Sequence, residues 1–362
     1  MNDTGRSVAR RALLSGTAVA VASLLIATPS VGQENHSLSG SSVAIWNLAG
    51  EVTVVGGSGS EVTVQITRGG GDASQLQIQK GPMDMWDHDW QTLRVIYPSD
   101  EIVYEELGEG SHSNLRVSDD GTFYGRRDKD GDKVTIKGSG SGLEAHADMR
   151  ISVPRGKTIR VALAAGSVEV SNVDGDINID VGSATISSRD TKGELSLDTG
   201  SGTITVHNAE GDVSLDTGSG EVEVTGVEGD ELSVDTGSGS VSGGSITVQE
   251  LSVDTGSGKV SLTEVRARDI SVDSGSGGVT LELLSDVREM SIDTGSGGVT
   301  LSVPSDFGAE LEIETGSGGV DVNLGQISGV KTERGYFRGI VGNGNGEVTI
   351  ETGSGGVKIT RS

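Results

Sequence analysis

The chain has 362 residues and a formal net charge of −26, a balance that argues against nucleic acid and anionic lipid as partners. Only 33% of the residues are hydrophobic and 3% are aromatic, against 58 glycines, which suits a thin β-sheet core better than a wide globular one. The chain contains no cysteine, so disulfides, thiolate metal sites and a cysteine-linked lipid anchor are excluded.

Residues 1–32 have the composition of an export signal peptide. Arg6, Arg10 and Arg11 precede an apolar run, and small residues follow it before a cleavage site in front of Gln33. The adjacent arginines fit twin-arginine export as well as the general secretory (Sec) route. The apolar run is short for a membrane span, and no second run follows it. The sequence predicts an extracytoplasmic protein, periplasmic or secreted, with no integral membrane segment in the mature chain.

Residues 33–147 are predicted to form an N-terminal β region with long charged and aromatic loops. The candidates for binding a partner are Trp86, Trp90, Tyr97 and Tyr104, because sugars and protein surfaces stack on exposed rings. The alternative is a small hydrophobic cluster that holds the loops down, and we favour it. The early strands are expected to act as first turns of a stack or as a sheet that caps it.

Residues 148–362 carry a five-residue motif, Asp/Glu-Thr/Ser-Gly-Ser-Gly, at intervals of 18 to 21 residues, followed by one longer gap. Short segments of alternating apolar and polar residues flank each copy, and period-two alternation predicts strands. The motif begins at Asp198, Asp216, Asp235, Asp254, Asp273, Asp293, Glu314 and Glu351.

Every repeat has the same outline, which favours identical units stacked in parallel over antiparallel hairpins. We therefore predict an all-β fold, a parallel β-solenoid (β-helix) of about ten rungs of 18 to 21 residues. Leu195, Leu197, Ile204 and Val206 are expected to point inward. The motif glycines are expected at positive φ, the long gap is expected to hold one degenerate unit, and Lys358 and Arg361 are expected to charge the last exposed edge.

Three stretches resemble a known family: residues 147–156 (Ala-Asp-Met-Arg-Ile-Ser-Val-Pro-Arg-Gly), residues 172–177 (Asn-Val-Asp-Gly-Asp-Ile) and the motif series. They resemble the bacterial "putative adhesin" family of β-strand-repeat proteins, a domain of unknown function, over roughly residues 40–362. The resemblance implies export, a parallel β-solenoid and an adhesin-type role. Glycine-rich turns identify architecture rather than chemistry, so the resemblance implies no catalytic residue.

Stacking of the repeats predicts a column of outward-facing aspartates. Carboxylates about 4.8 Å apart suit calcium, and the column also suits a polymer. The favoured alternative is that each Asp accepts the backbone N–H of the glycine two residues on, in an Asx turn. The candidate metal ligands are Asp198, Asp216, Asp235, Asp254, Asp273 and Asp293.

Catalysis has little support from the sequence. Polysaccharide lyases on parallel β-helices place a base next to carboxylates, whereas the regular repeats contain few bases, such as Arg266 and Arg268, in a turn. We therefore predict an exported, non-catalytic β-solenoid that needs no cofactor and binds an envelope, glycan or protein surface. The alternatives are a carbohydrate-active β-helix enzyme, lyase or hydrolase, and a calcium-stabilised envelope scaffold.

Overall fold

The structure is a computed structural model, and it describes residues 33–85, 88–124 and 131–362. The described residues form strands joined by turns, with two short 3₁₀ turns at Ala73–Gln75 and Glu105–Leu107. The predicted all-β class is confirmed. A search of these residues finds no helix with the length and hydropathy needed to cross a membrane. The predicted signal peptide, residues 1–32, lies outside the described residues.

Ten strands precede the regular repeats. They are β1 Glu34–Leu38, β2 Ser42–Gly57, β3 Val62–Gly69, β4 Gln77–Met85, β5 His88–Ile96, β6 Glu101–Val103, β7 His112–Val117, β8 Asp132–Lys137, β9 Leu143–Glu144 and β10 His146–Pro154. A hairpin of β4 and β5 and an antiparallel group of β1, β3 and β10 lie against the long strand β2, while β7, β8, β6 and β9 form a separate small sheet.

Eighteen strands follow and carry the repeats. They are β11 Lys157–Ser171, β12 Gly175–Lys192, β13 Leu195–Thr199, β14 Ile204–Glu210, β15 Val213–Thr217, β16 Val222–Glu228, β17 Glu231–Thr236, β18 Val241–Thr255, β19 Val260–Ser274, β20 Val279–Leu283, β21 Glu289–Thr294, β22 Val299–Val303, β23 Ala309–Thr315, β24 Val320–Asn323, β25 Ile327–Glu333, β26 Tyr336–Val341, β27 Gly346–Thr352 and β28 Val357–Arg361.

Consecutive repeats pair in parallel and in register, as predicted. Leu195 aligns with Val213, and Ile204 aligns with Val222, one repeat later. Parallel pairing with the next repeat continues through β17, β18, β19 and β21 on one face and through β16, β18, β19, β20 and β22 on the next, at offsets of 18 to 20 residues. Leu195, Leu197, Ile204 and Val206 are at most 1% exposed, so their inward assignment is confirmed. Parallel pairing of identical repeats thus builds one continuous narrow core.

The N-terminal strands cover the first turn of the stack. The first half of β2 pairs with β5 and its second half pairs with β10, while the other edge of β2 pairs with β11 along its length. The proposed boundary between residues 147 and 148 falls inside β10 and stays a prediction. The strands on both sides of it belong to one hydrogen-bonded sheet.

The C-terminal end of the stack departs from sequence order. Strands β27 and β28 lie between β21–β22 and β23–β24, with parallel pairing on both sides. The long gap before them holds the antiparallel strands β25 and β26 instead of a degenerate repeat. Lys358 lies between Thr300 and Asp321, so the expectation that it charges an exposed edge was wrong. Arg361 likewise aligns with Val303 of β22.

The motif glycines serve a purpose other than the predicted one. Neither Gly202 nor Gly220 has a positive φ. A β-carbon at Gly220 would lie 1.7 Å from the carbonyl oxygen of Gly202, and one at Gly202 would lie 1.6 Å from that of Ala184. Glycine is therefore required because the backbone of one turn lies directly against that of the turn before it. Positive φ is found in the other turn of the repeat, at Gly193 (107°) and Gly211 (129°).

This close approach predicts that Gly220→Ala destabilises the protein. The added methyl group would meet a backbone oxygen that neighbouring hydrogen bonds hold in place, so the melting temperature should fall by several degrees. The control is Gly319→Ala, because a β-carbon at Gly319 has no atom within 4 Å. Thermal unfolding followed by circular dichroism measures both. Equal melting temperatures for the two variants would contradict the packing account.

Candidate functional site

The predicted aspartates form one straight column on the outer face of the stack. Asp198 aligns with Asp180 on one side and Asp216 on the other, and the register continues repeat by repeat to Asp293. Beyond Asp293 the next carboxylate is Glu351 and then Glu314, because β27 is inserted there. We call the following residues the acidic column, and all of them are exposed: Asp198, Asp216, Asp235, Asp254, Asp273, Asp293, Glu351 and Glu314.

Arginines stand at the two ends of this column but not along it. At the first end, a nitrogen of Arg160 lies 3.0 Å from an oxygen of Asp180. At the other end, the Nε of Arg338 donates to Glu310 over 2.8 Å, and the Tyr336 hydroxyl donates to Glu312 over 3.0 Å. Within the described chain, no Lys, Arg or His nitrogen lies within 4.0 Å of a carboxylate of the acidic column. The column is therefore a continuous anionic stripe.

The crowding of the carboxylates changes their acidity. Partial burial, together with the negative charges of Asp216 and Asp254, raises the pKa of Asp235 above its ordinary value. Partial burial and the charges of Asp254 and Asp293 likewise raise the pKa of Asp273. Loss of solvation, and then the neighbouring like charges, make the deprotonated state of each carboxyl more costly, so these two side chains bind protons more readily than isolated aspartates.

Threonine, and not aspartate, caps the motif turn. The glycine two residues after Asp198 donates its N–H to the carbonyl of Val181, so the expected Asx turn does not form. Because side chains alternate along a strand, Asp198 points outward and Thr199 points inward, where it is fully buried. The Thr199 hydroxyl donates to Ala184 O over 2.9 Å and accepts the N–H of Gly202 over 3.0 Å.

The same bridge recurs in the next three repeats, through Thr255, and ties each of them to the one before it. The Thr217 hydroxyl donates to Gly202 O over 3.1 Å and accepts from Gly220 over 3.0 Å, and Thr255 makes the equivalent pair of bonds. The sequence analysis did not predict this capping role. Because side chains alternate along a strand, Thr199 lies on the same side as the inward residues Leu195 and Leu197, and this alternation would have placed it in the core.

Three of the four aromatic candidates, Trp90, Tyr97 and Tyr104, lie in the core of the N-terminal region. Tyr97 is 8% exposed, and its hydroxyl donates to Asn47 Oδ1 over 2.8 Å. Burial raises the pKa of Tyr97, and burial followed by the Glu106 carboxylate raises that of Tyr104, which is 2% exposed. Trp90 is 8% exposed, and Trp86 lies outside the described residues. Three of the four candidates therefore have little ring surface to offer a partner, and the packing alternative is favoured for them.

Trp46 and Asn47, which sequence reasoning did not single out, hold this region to the stack. The Trp46 indole N–H donates to Phe123 O over 3.0 Å. The buried Asn47 amide donates to Ala49 O and, over 2.7 Å, to Ala147 O. Both residues belong to β2, so the loops are anchored on the strand that starts the stack.

A groove of about 710 Å³ runs along another face of the stack. Its walls carry charges of both signs, including Arg155 beside Asp174 (3.2 Å) and a paired Lys192 and Glu210. These four charges are paired with each other, whereas Asp190 and Glu228 on the same walls have no ion pair within 4.0 Å among the described residues. In the described parts of the chain, no three His, Asp or Glu side chains are grouped so that they could hold a metal ion.

Comparisons with known proteins bear on the repeats. The model of the Toastrack DUF4097 family matches residues 126–360. No curated protein matches the chain. Among solved structures, the crystal structure of a "putative cell adhesion protein" from Clostridium sporogenes is 12% identical, with 91% of this chain and 99% of that chain covered and a TM-score of 0.23. A TM-score of that size is too low for a comparison of architecture.

The threonine bridge predicts that Thr217→Val destabilises the protein more than its small change in shape implies. The substitution removes the hydroxyl and leaves the buried Gly202 O and Gly220 N–H without this partner, which costs about 1–3 kcal/mol. Thr217→Ser should retain most of the stability, because a serine hydroxyl at the equivalent position, Ser274, also donates to the carbonyl of the preceding turn, Gly258 O, over 3.3 Å. Thr300→Val, at an exposed position, is the matched control for urea unfolding. A Thr217→Val variant as stable as this control would exclude the bridge.

The raised pKa values predict how stability changes with pH. Between the unfolded pKa of Asp235, 3.8, and its higher folded value, the folded protein binds more protons than the unfolded chain. The free energy of unfolding contributed by the column therefore falls as pH rises through that window and stays low at neutral pH. The double variant Asp235→Asn, Asp254→Asn should have a higher melting temperature than the parent at pH 7 and low salt. Its melting temperature should also increase less than that of the parent when the pH is lowered.

The control pair is Asp230→Asn with Asp306→Asn, which removes the same charge from exposed positions outside the column. Added salt should reduce the gain of the column variant, because screening weakens repulsion between exposed charges. Identical pH profiles for the two double variants would show that the column carries no such repulsion.

Proposed function

The chain belongs to the Toastrack DUF4097 family, and we propose that it is an exported, non-catalytic β-solenoid of about ten rungs that acts as a structural or adhesive protein of the cell envelope. The observation that carries this proposal is the acidic column: eight exposed carboxylates in register, none of them within 4.0 Å of a Lys, Arg or His nitrogen of the described residues. Repeated identical groups at a fixed spacing suit multivalent attachment to an extended partner surface.

The charge of the column specifies the kind of partner. A chain with a net charge of −26 repels anionic polymers, so the partner should present cationic groups, as a basic protein surface or an amine-bearing glycan does. Each exposed ion pair contributes little alone, about 0–1 kcal/mol, so useful affinity requires several pairs along the column. The arginines at the ends, Arg160 and Arg338, are already bound to Asp180 and Glu310 and leave the central carboxylates available.

The make-up of the stack supports a non-catalytic role. A catalytic site needs one convergent group of acid, base and binding side chains, whereas the exposed face repeats Ser and Asp at every turn, as at Ser233 and Asp235 and again at Ser252 and Asp254. Incubation with a panel of polysaccharides, followed by measurement of new reducing ends or unsaturated products, tests this part. Product that depends on the protein would contradict the non-catalytic proposal.

The binding part is tested with immobilised polylysine and with isolated cell-envelope material. The triple variant Asp235→Asn, Asp254→Asn and Asp273→Asn should lose much of its retention, and retention of the parent should fall as salt rises. The control makes the same charge change in the N-terminal region, with Glu61→Gln, Glu105→Gln and Glu109→Gln, all exposed. Equal loss in both variants would mean that net charge, and not the column, causes binding.

A calcium titration distinguishes the alternative of a calcium-stabilised envelope scaffold from this proposal. If the column held calcium, the parent would melt markedly higher in millimolar calcium than in chelator, and the triple variant would lose the difference. We expect a small difference in both, because each carboxylate of the column faces only its neighbours above and below.

A further inference from the structure

One repeat at the C-terminal end of the stack lies out of sequence order. Residues 346–362, here called the terminal repeat, comprise β27 and β28. On one side Thr349 aligns with Ser291, and on the other it aligns with Glu312. The turn of the terminal repeat is in register as well, because the Thr352 hydroxyl donates to Gly297 O over 3.1 Å. The terminal repeat therefore fills a slot between two strand pairs that precede it in sequence.

The rest of the stack shows how repeats pair when nothing is inserted between them. In the described repeats from residue 195 to residue 303, each repeat pairs directly with the next one along the chain. The repeat at Glu314 has the same motif and lies one repeat length after that at Asp293, yet the two are separated by the terminal repeat. The terminal repeat thus lies at a position where two consecutive repeats would otherwise pair directly.

A short glycine-rich connection brings the terminal repeat into the slot. Residues 342–345 pass from β26, on one side of β23, to β27 on its other side, over the backbone of Phe307 and Gly308. Gly342 and Gly344 have φ values of 56° and 67°, a conformation that glycine adopts without strain. Such a connection is able to extend, which would carry the terminal repeat away from its own stack.

The charge of the terminal repeat also fits a second copy. Its acids, Glu347 and Glu351, balance its bases, Lys358 and Arg361, so this segment is not repelled by an acidic chain as the rest of the protein is. In the slot, Lys358 aligns with Asp321 of β24. A terminal repeat from another molecule would make the same backbone, hydroxyl and charge contacts as the intramolecular one, so only the connection changes.

We propose that the slot between β21–β22 and β23–β24 is an exchange site, into which one molecule inserts the terminal repeat of a second copy. Exchange of an identical element between protomers replaces each contact by its equal, so its free-energy cost lies mainly in the connection and in association. A reciprocal exchange closes a dimer, and one-directional exchange links successive molecules into a chain.

Single-cysteine variants of the full chain test the proposal, since the protein has no cysteine of its own. Ser291→Cys and Thr349→Cys lie opposite each other in β21 and β27, at a separation that parallel strands keep within disulfide range. The two variants are mixed, incubated and oxidised, and interchain products are resolved on a non-reducing gel. We expect a cross-linked heterodimer whose yield rises with protein concentration.

Two controls show whether an interchain product results from exchange and whether the two cysteines are able to form a disulfide. Ser233→Cys mixed with Ser252→Cys has the same geometry in the middle of the stack, where exchange is not possible, and should give no interchain product. The double variant Ser291→Cys, Thr349→Cys should form an intrachain disulfide. An intrachain bond without interchain product in the mixture would overturn exchange. Equal interchain product in both mixtures would also overturn it.

Discussion

The close contact between the motif turn of one repeat and that of the repeat before it fixes the rest of the structure. The backbone of Gly220 lies so close to Gly202 that no side chain fits between them, and Thr217 binds both with one hydroxyl. Parallel strands already prefer a separation of about 4.8 Å. The turn adds a contact that leaves no freedom to slip by one residue, because a slip would bring a side chain against a carbonyl. Register is therefore set at the turns and carried into the strands.

Strict register has an electrostatic consequence. It places Asp216, Asp235 and Asp254 directly above one another, where like charges about 4.8 Å apart repel by roughly 0.9 kcal/mol per pair even at the dielectric constant of water. Because Thr caps the turn and Asp does not, turn chemistry no longer explains why the acid recurs. The recurrence of a costly group at an exposed position is what leads us to assign the column a binding role.

Much of this architecture follows from sequence because it depends on local alternation. Leu195 and Leu197 alternate with Ser196 and Asp198, and that pattern determines which face is buried. The requirement for glycine at Gly220 could not be predicted from the sequence in the same way. The backbone that excludes a side chain there belongs to the neighbouring repeat, and the φ of Gly220 itself imposes no such requirement. The order of β21, β27 and β23 was also beyond prediction, because repeats with the same motif pair equally well in several orders. Aromatic residues such as Tyr97 were ambiguous, since composition does not distinguish a buried ring from an exposed one.

The central claim is that each repeat advances the stack by one strand spacing, in register. Double electron–electron resonance on paired spin labels measures this directly, with labels at Ser196→Cys and Ser271→Cys in one sample and at Ser196→Cys and Ser291→Cys in another. The register places these pairs four and five repeats apart. The account predicts narrow distributions centred near ~19 Å and ~24 Å, since each step is about 4.8 Å. Broad distributions, or two distances that do not differ by one strand spacing, would contradict it.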